Sequence, residues 1–193
     1  MKHSKLEQIK KQIHQLQDGA RFEHTVGVMY TAAALAMRYG ADMEQAMMAG
    51  LLHDCAKSYS SEKKISLCNA YGLSISDAEA KNPGLLHAKL GAYMAEHTYE
   101  ITDQEIIDAI AYHTTGRPDM TLLDKIIYIA DYIEPNRNQA PKLESLRQQA
   151  FIDMDACLYA ILKASLEYLQ TRSEVIDPMT EQTYLYYKKL RNA

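Results

Sequence analysis

The sequence is poor in the residues that staple or anchor a chain. It has no tryptophan and only three cysteines among 193 residues, and Cys55, Cys68 and Cys157 lack the Cys-x-x-Cys spacing of a zinc ribbon. This pattern excludes a disulfide framework and fits a reducing cytosol. No apolar run approaches the roughly 18 residues that a membrane span needs, and the charged amino terminus lacks the apolar core of a signal peptide. We therefore expect a cytoplasmic protein that makes no membrane contact.

An excess of positive charge is also missing. The chain carries 21 Lys and Arg against 25 Asp and Glu, a formal charge of −4, and its pI is about 6.0. A general nucleic-acid binder normally has a pI above about 9, so this class is excluded and we expect no nucleic-acid partner. At about 150 residues per domain, the length suits one domain.

Helix-breaking residues are sparse, with 8 Gly and 5 Pro. Between them the apolar residues recur at intervals of three and four, the period of a helix, and no stretch alternates as a strand would. The sequence predicts an all-α fold of about nine or ten helices. We expect a single domain over 1–193, in which about 20–135 forms the core of the candidate site and the helices of 141–193 complete the hydrophobic core.

Local signals predict where these helices begin and end. Gly19 and Gly40 are expected to end the first two helices in the left-handed conformation that glycine tolerates. Capping side chains are expected to open later helices, with proline in the first turn of two of them, at Asp42, Ser60, Asn82-Pro83, Asp103, Thr121 and Asp177-Pro178. After Pro141 a long helical stretch runs to about Thr171, with an interruption near Gln149.

Ionisable residues stand where the helices are otherwise apolar. His53 and Asp54 close the apolar segment that ends in Gly50-Leu51-Leu52, and Asp131 lies within the apolar helix of residues 126–133. An isolated carboxylate is almost never buried, because the cost of removing it from water is too high unless it is paired or binds a metal. A bound metal cation is one explanation that accounts for all three residues together.

Neighbouring residues on a helix point about 100° apart, so His53 and Asp54 reach one ion only in a groove between packed helices. Other helices must complete the set of ligands. Suitable residues in chain order give four imidazoles and two carboxylates, more than one ion needs: His24, His53, Asp54, His87, His113 and Asp131. The set suits two ions that share Asp54, and ligands of this kind suit Fe, Mn, Co or Zn without choosing among them.

Four strings carry a family resemblance: RFEHTVGV (21–28), GLLHDCAK (50–57), HTTGR (113–117) and ADYIEPNR (130–137). Together with the order H…HD…H…H…D they resemble the HD-domain metal-dependent phosphohydrolases, and within these the YqeK-type symmetrical bis(5′-nucleosyl)-tetraphosphatases. The resemblance covers about residues 5–190.

This resemblance implies an all-α HD-domain fold with a dinuclear centre, usually of iron. It implies that one ion is held by His24, His53, Asp54 and Asp131, and the other by His87, His113 and the bridging carboxylate of Asp54. The implied reaction is the hydrolysis of diadenosine tetraphosphate to two ADP, by attack of a metal-activated water on a phosphorus of the bridge. The implied partner is thus a small dinucleoside polyphosphate.

A tetraphosphate bridge is highly anionic, so cations outside the metal ligands should assist. We expect Lys57 and Arg137 to act with Asp54 in catalysis. Substrate binding is predicted for Arg21 and for the segment after His113, where hydroxyl and N–H groups are available at Thr114, Thr115 and Gly116.

Two other functions are compatible with the sequence. One keeps the metals and changes the substrate, as in an HD-domain nucleotidase or nucleoside-polyphosphate phosphohydrolase. The other is a helical nucleotide-binding module with structural metals, although structural sites are usually closed whereas these ligands leave positions open. The amphipathic first helix and the tyrosine-rich last helix leave room for a homodimer.

Overall fold

The computed structural model describes residues 2–140, 142–172 and 175–192, and these residues form helices and loops without a strand. The all-α prediction is confirmed, with eleven α-helices in this part of the chain. In chain order they are α1 (Lys2–Leu16), α2 (Gly19–Tyr39), α3 (Met43–Leu52), α4 (Ser61–Ala70), α5 (Asp77–Lys81), α6 (Leu86–His97), α7 (Gln104–Tyr112), α8 (Leu122–Ile133), α9 (Leu143–Ala150), α10 (Met154–Gln170) and α11 (Pro178–Arg191).

Most predicted helix ends lie where the sequence placed them. Gly40 ends α2 with a φ of 75°. Side-chain oxygens cap the starts of α3, α4, α7, α8 and α11 through Asp42, Ser60, Asp103, Thr121 and Asp177. Capping satisfies backbone N–H groups that have no partner inside the helix, and it depends on neighbours in sequence alone. The break expected near Gln149 separates α9 from α10 at Phe151–Asp153.

Three details differ from the sequence-based expectation. Gly19 does not end α1 in a left-handed turn; it begins α2, because Asp18 accepts the Arg21 N–H and acts as the N-cap. The proline at position 83 opens a short 3₁₀ turn, Pro83–Leu85, that leads into α6. Helix α5 was not expected and is capped at Ser76. Pro141 lies outside the described residues.

The helices that carry the predicted ligands pack on one another. Helix α2 packs along α3 and α8, α7 contacts α3, α6 and α8, and α4 lies on α6. Helices α9 and α10 pack beside α8, and α11 lies on α10. One hydrophobic core runs from Leu6 in α1 to Tyr187 in α11, so the ligand-bearing helices are held inside a continuous apolar interior.

Among the helices described, none combines the length and apolar character that a bilayer span requires.

Candidate metal centre

The Asp54 carboxylate lies at the centre of the candidate site and is nearly buried, with 6% of its side chain exposed. Its Oδ2 atom lies 4.0 Å from the Nε2 atom of His24 and 3.7 Å from that of His53. Its Oδ1 atom lies 3.1 Å from the Nε2 atom of His87 and 3.5 Å from that of His113. The two oxygens of one carboxylate therefore face two different pairs of imidazoles.

Asp131 joins the first pair. Its Oδ1 atom lies 3.1 Å from the Nε2 atom of His24 and 3.8 Å from that of His53. Two groups of three residues could each hold a metal ion, because within each group the ligand atoms all lie within 4.8 Å of one another. The first group is His24, His53 and Asp131, and the second is His53, Asp54 and His113. The structure thus brings His53 within reach of both groups, where the resemblance assigned it to one ion.

Five helices deliver these six side chains. His24 lies in α2, His53 follows the last residue of α3, His87 lies in α6, His113 follows α7, and Asp131 lies in α8. Helices α2 and α3 approach closely at Gly50, where a Cβ would lie 2.9 Å from the Met29 Cα. Glycine at this position lets the two helices bring His24 and His53 together.

All four imidazoles are oriented in the same way. The Nδ1–H group of His53 donates to the Gly50 carbonyl at 2.7 Å, that of His87 to the Gly84 carbonyl at 2.6 Å, and that of His113 to the Ile110 carbonyl at 2.8 Å. The Nδ1–H group of His24 donates to the carboxylate of Glu134. Because a neutral imidazole carries one proton, each ring keeps an unprotonated Nε2 pointed into the centre.

Several of these inward-facing atoms have no hydrogen-bond partner. His53 Nε2 and Asp54 Oδ1 are buried without one among the described residues. The Nε2 atoms of His87 and His113 face each other at 3.1 Å, although both rings carry their proton on Nδ1, and the Lys57 ammonium donates to that of His87 at 3.0 Å. Lone pairs that converge without hydrogens repel one another, and buried polar atoms without partners destabilise a fold. A cation bound here would relieve both costs, so the donor set fits a metal.

The surroundings of His53, His87 and Asp54 favour the protonation states of these side chains that bind metals. Burial lowers the pKa of His53 to about 4 and that of His87 to about 4. Burial alone would raise the pKa of Asp54, but the charges and hydrogen bonds of the surrounding histidines, together with Lys57, bring that pKa well below its usual value. At neutral pH the rings of His53 and His87 are neutral and the Asp54 carboxylate is ionised, as metal ligation requires.

Glu134 is a functional candidate that the sequence did not single out. Its side chain is 1% exposed, its Oε1 atom lies 3.1 Å from the Nδ1 atom of His24, and its Oε2 atom accepts the Asn136 N–H at 2.7 Å. Metal-binding histidines commonly donate their second N–H to such a carboxylate. One signal in the sequence points to Glu134, because it follows Asp131 by three residues at the end of an apolar helix. In the structure, Gly27 leaves room for the Glu134 carboxylate, which a Cβ at that position would overlap.

The three predicted cations all reach this centre. Arg21 Nη1 lies 3.7 Å from Asp54 Oδ2, and Lys57 Nζ lies 3.6 Å from Asp54 Oδ1. The Nη2–H group of Arg137 donates to Asp131 Oδ1 at 2.8 Å, while its Nε–H donates to the backbone carbonyl of Asp131. The side chains of Arg21, Lys57 and Arg137 are 32%, 36% and 45% exposed, so they form the solvent-facing rim of the buried ligands.

The segment after His113 is arranged differently. The Gly116 N–H donates to the Tyr112 carbonyl inside the turn, and the Thr115 hydroxyl donates to the Gly116 carbonyl. Thr114 and Thr115 line a cavity of about 340 Å³ beside the start of α11. Substrate binding by this segment remains a prediction. In this conformation it rests on Thr114 and Thr115, because the Gly116 N–H already donates to the Tyr112 carbonyl.

Comparisons with known proteins agree with this geometry. The HD domain model matches residues 21–136, which span all six candidate ligands. A protein of Bacillus subtilis (strain 168) named bis(5′-nucleosyl)-tetraphosphatase, symmetrical, is 42% identical over 166 residues, 85% of this chain and 87% of that protein. A Staphylococcus aureus protein of the same name is 35% identical over 169 residues, 86% of each chain.

A solved structure is also similar to this chain over nearly its whole length. The crystal structure of a Clostridium acetobutylicum protein, described as a predicted HD superfamily hydrolase involved in NAD metabolism, superposes with a TM-score of 0.91 at 36% identity. The match covers 95% of this chain and 97% of that one. The chain therefore belongs to the HD-domain family, together with the relatives named symmetrical bis(5′-nucleosyl)-tetraphosphatases.

Proposed function

We propose that this protein is a metal-dependent hydrolase that cleaves diadenosine tetraphosphate, and related dinucleoside tetraphosphates, symmetrically into two ADP. The observation that carries the proposal is the Asp54 carboxylate, whose two oxygens face two sets of histidines below a rim of three cations. The names of the relatives supply the substrate class.

The centre is proposed to hold two ions. One set of ligands is His24, His53, Asp131 and Asp54 Oδ2, and the other is His87, His113 and Asp54 Oδ1. When bound, such ions activate water at neutral pH and stabilise the charge that develops on phosphoryl oxygens. Iron is the metal proposed from the family resemblance, and Mn, Co and Zn suit the same ligands.

The side chains of the rim orient the substrate. Symmetrical hydrolysis breaks the bond between an inner phosphorus and the central bridging oxygen, forms a new bond from the water oxygen to that phosphorus, and releases two ADP. Lys57 and Arg21, placed on either side of the Asp54 carboxylate, hold phosphate oxygens near the ligands and offset charge on the departing ADP. Arg137 contributes positive charge from the Asp131 side.

Three further proposals concern the whole protein. We propose a cytoplasmic location, because the three cysteines are free and buried. We propose a homodimer formed by the end helices, where Leu16 in α1 and Leu185 and Leu190 in α11 are exposed. The single domain of 1–193 is proposed to have its catalytic core at about 20–135.

Product analysis tests the reaction. Protein loaded anaerobically with ferrous iron is mixed with diadenosine tetraphosphate, and the products are separated by chromatography. Two ADP per substrate is the expected result. ATP plus AMP would move the attack to an outer phosphorus and overturn the symmetrical reaction.

Variants assign the chemistry to the centre. Asp54→Asn should lower activity by more than about 100-fold, the upper end of the range for residues behind metal ligands, because the shared carboxylate loses its charge and one of its two ligand oxygens. The matched control is Asp77→Asn, an exposed residue of α5, which should keep wild-type activity. Equal activity of the two variants would contradict the proposal.

The second candidate keeps the same ligands and takes another nucleotide. If the loaded protein leaves diadenosine tetraphosphate intact but releases phosphate from mononucleotides or nucleoside triphosphates, the nucleotidase or polyphosphate hydrolase function replaces the first. If metal is bound and none of these substrates changes, the chain is a binding module.

A further inference from the structure

Arg147 of α9 binds the backbone at the point where helix α8 ends. Its Nε–H group donates to the carbonyl of Ile133 at 2.8 Å, and its Nη2–H groups donate to the carbonyls of Glu134 and Arg137 at 2.8 Å each. A longer contact of 3.4 Å joins Nη2 to the Pro135 carbonyl. Every hydrogen bond that Arg147 makes with the described residues thus goes to one short backbone segment.

This segment, residues 133–137, needs hydrogen-bond partners from outside α8. Pro135 has no N–H group and cannot continue the helix, so carbonyl groups of the last turn lack the donors that a further turn would supply. A guanidinium group suits this place, because its positive charge faces the negative end of the helix dipole. Its planar fork of N–H groups also reaches several carbonyls at once, which a lysine ammonium does not.

The same segment carries two side chains that contact predicted metal ligands. Glu134 accepts the Nδ1–H of His24, with 3.1 Å between the two atoms, and Arg137 donates to the Asp131 carboxylate at 2.8 Å. Arg147 donates to the backbone carbonyl of both Glu134 and Arg137. The positions of these two side chains therefore depend on an arginine that lies outside the ligand set.

Helix α9 is itself anchored in the core. Its residues Leu143, Leu146 and Ala150 are buried, and the Leu146 carbonyl accepts a hydrogen bond from the Cys157 thiol of α10. The helix packs on α10 as well as on α8. Arg147 therefore ties the segment to the hydrophobic core rather than to another loop.

We propose that Arg147 is a positioning residue for the candidate metal centre. It acts through residues 133–137, since it holds the backbone of the two residues whose side chains contact His24 and Asp131. This role gives α9 a part in the centre, whereas the sequence predicted only that the helices of 141–193 complete the hydrophobic core.

Titration of the metal-free protein with Mn²⁺ tests the proposal. Arg147→Met should weaken Mn²⁺ binding about 10-fold, the lower end of the range for residues behind metal ligands, because Glu134 no longer holds His24 in one orientation. The matched control is Arg38→Met, since Arg38 is an exposed arginine that donates to the Phe151 carbonyl, just after α9, at 2.7 Å. Arg38→Met should bind Mn²⁺ as the wild type does.

Two further variants separate positioning from a loss of stability. Arg147→Lys keeps the positive charge but not the fork, so its Mn²⁺ affinity should lie closer to that of Arg147→Met than to that of the wild type. Arg147 lines a cavity of about 760 Å³, in which Arg147→Ala leaves space for a small cation. Added guanidinium chloride should restore most of the Mn²⁺ affinity of Arg147→Ala, whereas sodium chloride at the same concentration should not. Guanidinium is a denaturant, so it would not rescue a residue that only stabilises the fold.

Three results would overturn the positioning role. One is equal Mn²⁺ affinity in Arg147→Met and Arg38→Met, and another is wild-type affinity in Arg147→Lys, which would leave no role for the fork. The third is failure of guanidinium to change the affinity of Arg147→Ala. If all three variants at Arg147 are unfolded, the residue serves the fold and the proposal is likewise wrong.

The consequence for substrate, which runs through Arg137, rests on the proposed function. Arg147→Met should raise the KM for diadenosine tetraphosphate about 3- to 10-fold, a loss equivalent to one hydrogen bond. If the wild type leaves the dinucleotide intact while its Mn²⁺ affinity depends on Arg147, the proposed function fails and the positioning role stands. If the wild type hydrolyses the dinucleotide and Mn²⁺ affinity is indifferent to Arg147, the positioning role alone fails.

Discussion

The buried carboxylate of Glu134 accepts the Nδ1–H of His24 and so orients this imidazole toward the candidate metal centre. Burial alone would lower the pKa of His24, but the hydrogen bonds and charge of Asp131, together with Glu134, outweigh burial and raise it. The other three imidazoles donate to neutral backbone carbonyls. His24 is therefore the ring of the four whose Nδ1–H donates to a charged group, and that group is Glu134.

We expect Glu134→Gln to weaken metal binding or activity about 10- to 100-fold, the range measured when carboxylates behind metal-binding histidines are replaced. The amide oxygen still accepts from His24, but the amide NH2 group then faces the Asn136 N–H, so the metal-free protein should lose about 1–3 kcal/mol of stability while staying folded. Metal content measured at a fixed free Mn²⁺ concentration provides the readout. Glu167→Gln, with its side chain 65% exposed, is the control. Unchanged metal affinity in Glu134→Gln would show that Glu134 only supports the loop.

At the scale of helices, close packing of α2 on α3 sets the position of half the ligands. Gly50 faces the Met29 backbone across this interface, and its carbonyl also accepts the Nδ1–H of His53. A similar constraint joins α7 to α8, where Arg117 bridges Asp108 and the buried Asp124 at 2.9 and 2.8 Å. Helix contacts thus hold the ligands at fixed separations.

Gly50→Ala should destabilise the protein by about 1–3 kcal/mol, because the new methyl group meets backbone rather than a movable side chain. The resulting shift should also displace His53 and lower activity. Gly19→Ala is the matched control: nothing lies within 4 Å of its added Cβ, so a gain of about 0.4–1 kcal/mol is expected. Urea unfolding of both metal-free variants measures the difference, and equal stabilities would contradict the close-packing argument.

For the molecule as a whole, we expect the fold to form without metal in the candidate centre. The apolar core extends through residues of α1, α2, α3, α6, α7, α8, α10 and α11, far beyond the six ligands. We therefore expect metal binding to add to the stability of a chain that is already folded, unlike the small zinc domains that unfold without metal.

Removal of metal should lower the melting temperature without unfolding the protein at 25 °C. At a metal concentration of 100 times Kd, binding stabilises the folded state by about 2.7 kcal/mol, which corresponds to a shift of roughly 5–10 °C at this size. Calorimetry before and after treatment with a chelator measures the shift, and return of Mn²⁺ should restore it. Unfolding of the metal-free protein at 25 °C would instead favour structural metals.

The residues of the candidate centre that could be predicted share a local property. His53, Asp54 and Asp131 interrupt apolar helical patterns, and such an interruption is visible in the sequence. Glu134 was missed because it stands at a helix end, where charge is ordinary. Its burial is decided by other helices.

The sequence by itself determined the helical class and most helix ends, since periodicity and capping act between residues close in the chain. It also determined which side chains can bind metal, because an apolar helix tolerates a carboxylate only with a partner. The tertiary structure alone decided the sharing of Asp54 between two pairs of imidazoles, the orientation of all four rings, and the approach of Arg21 and Lys57 to Asp54. These arrangements depend on distances between helices far apart in sequence, and packing of the whole core sets those distances.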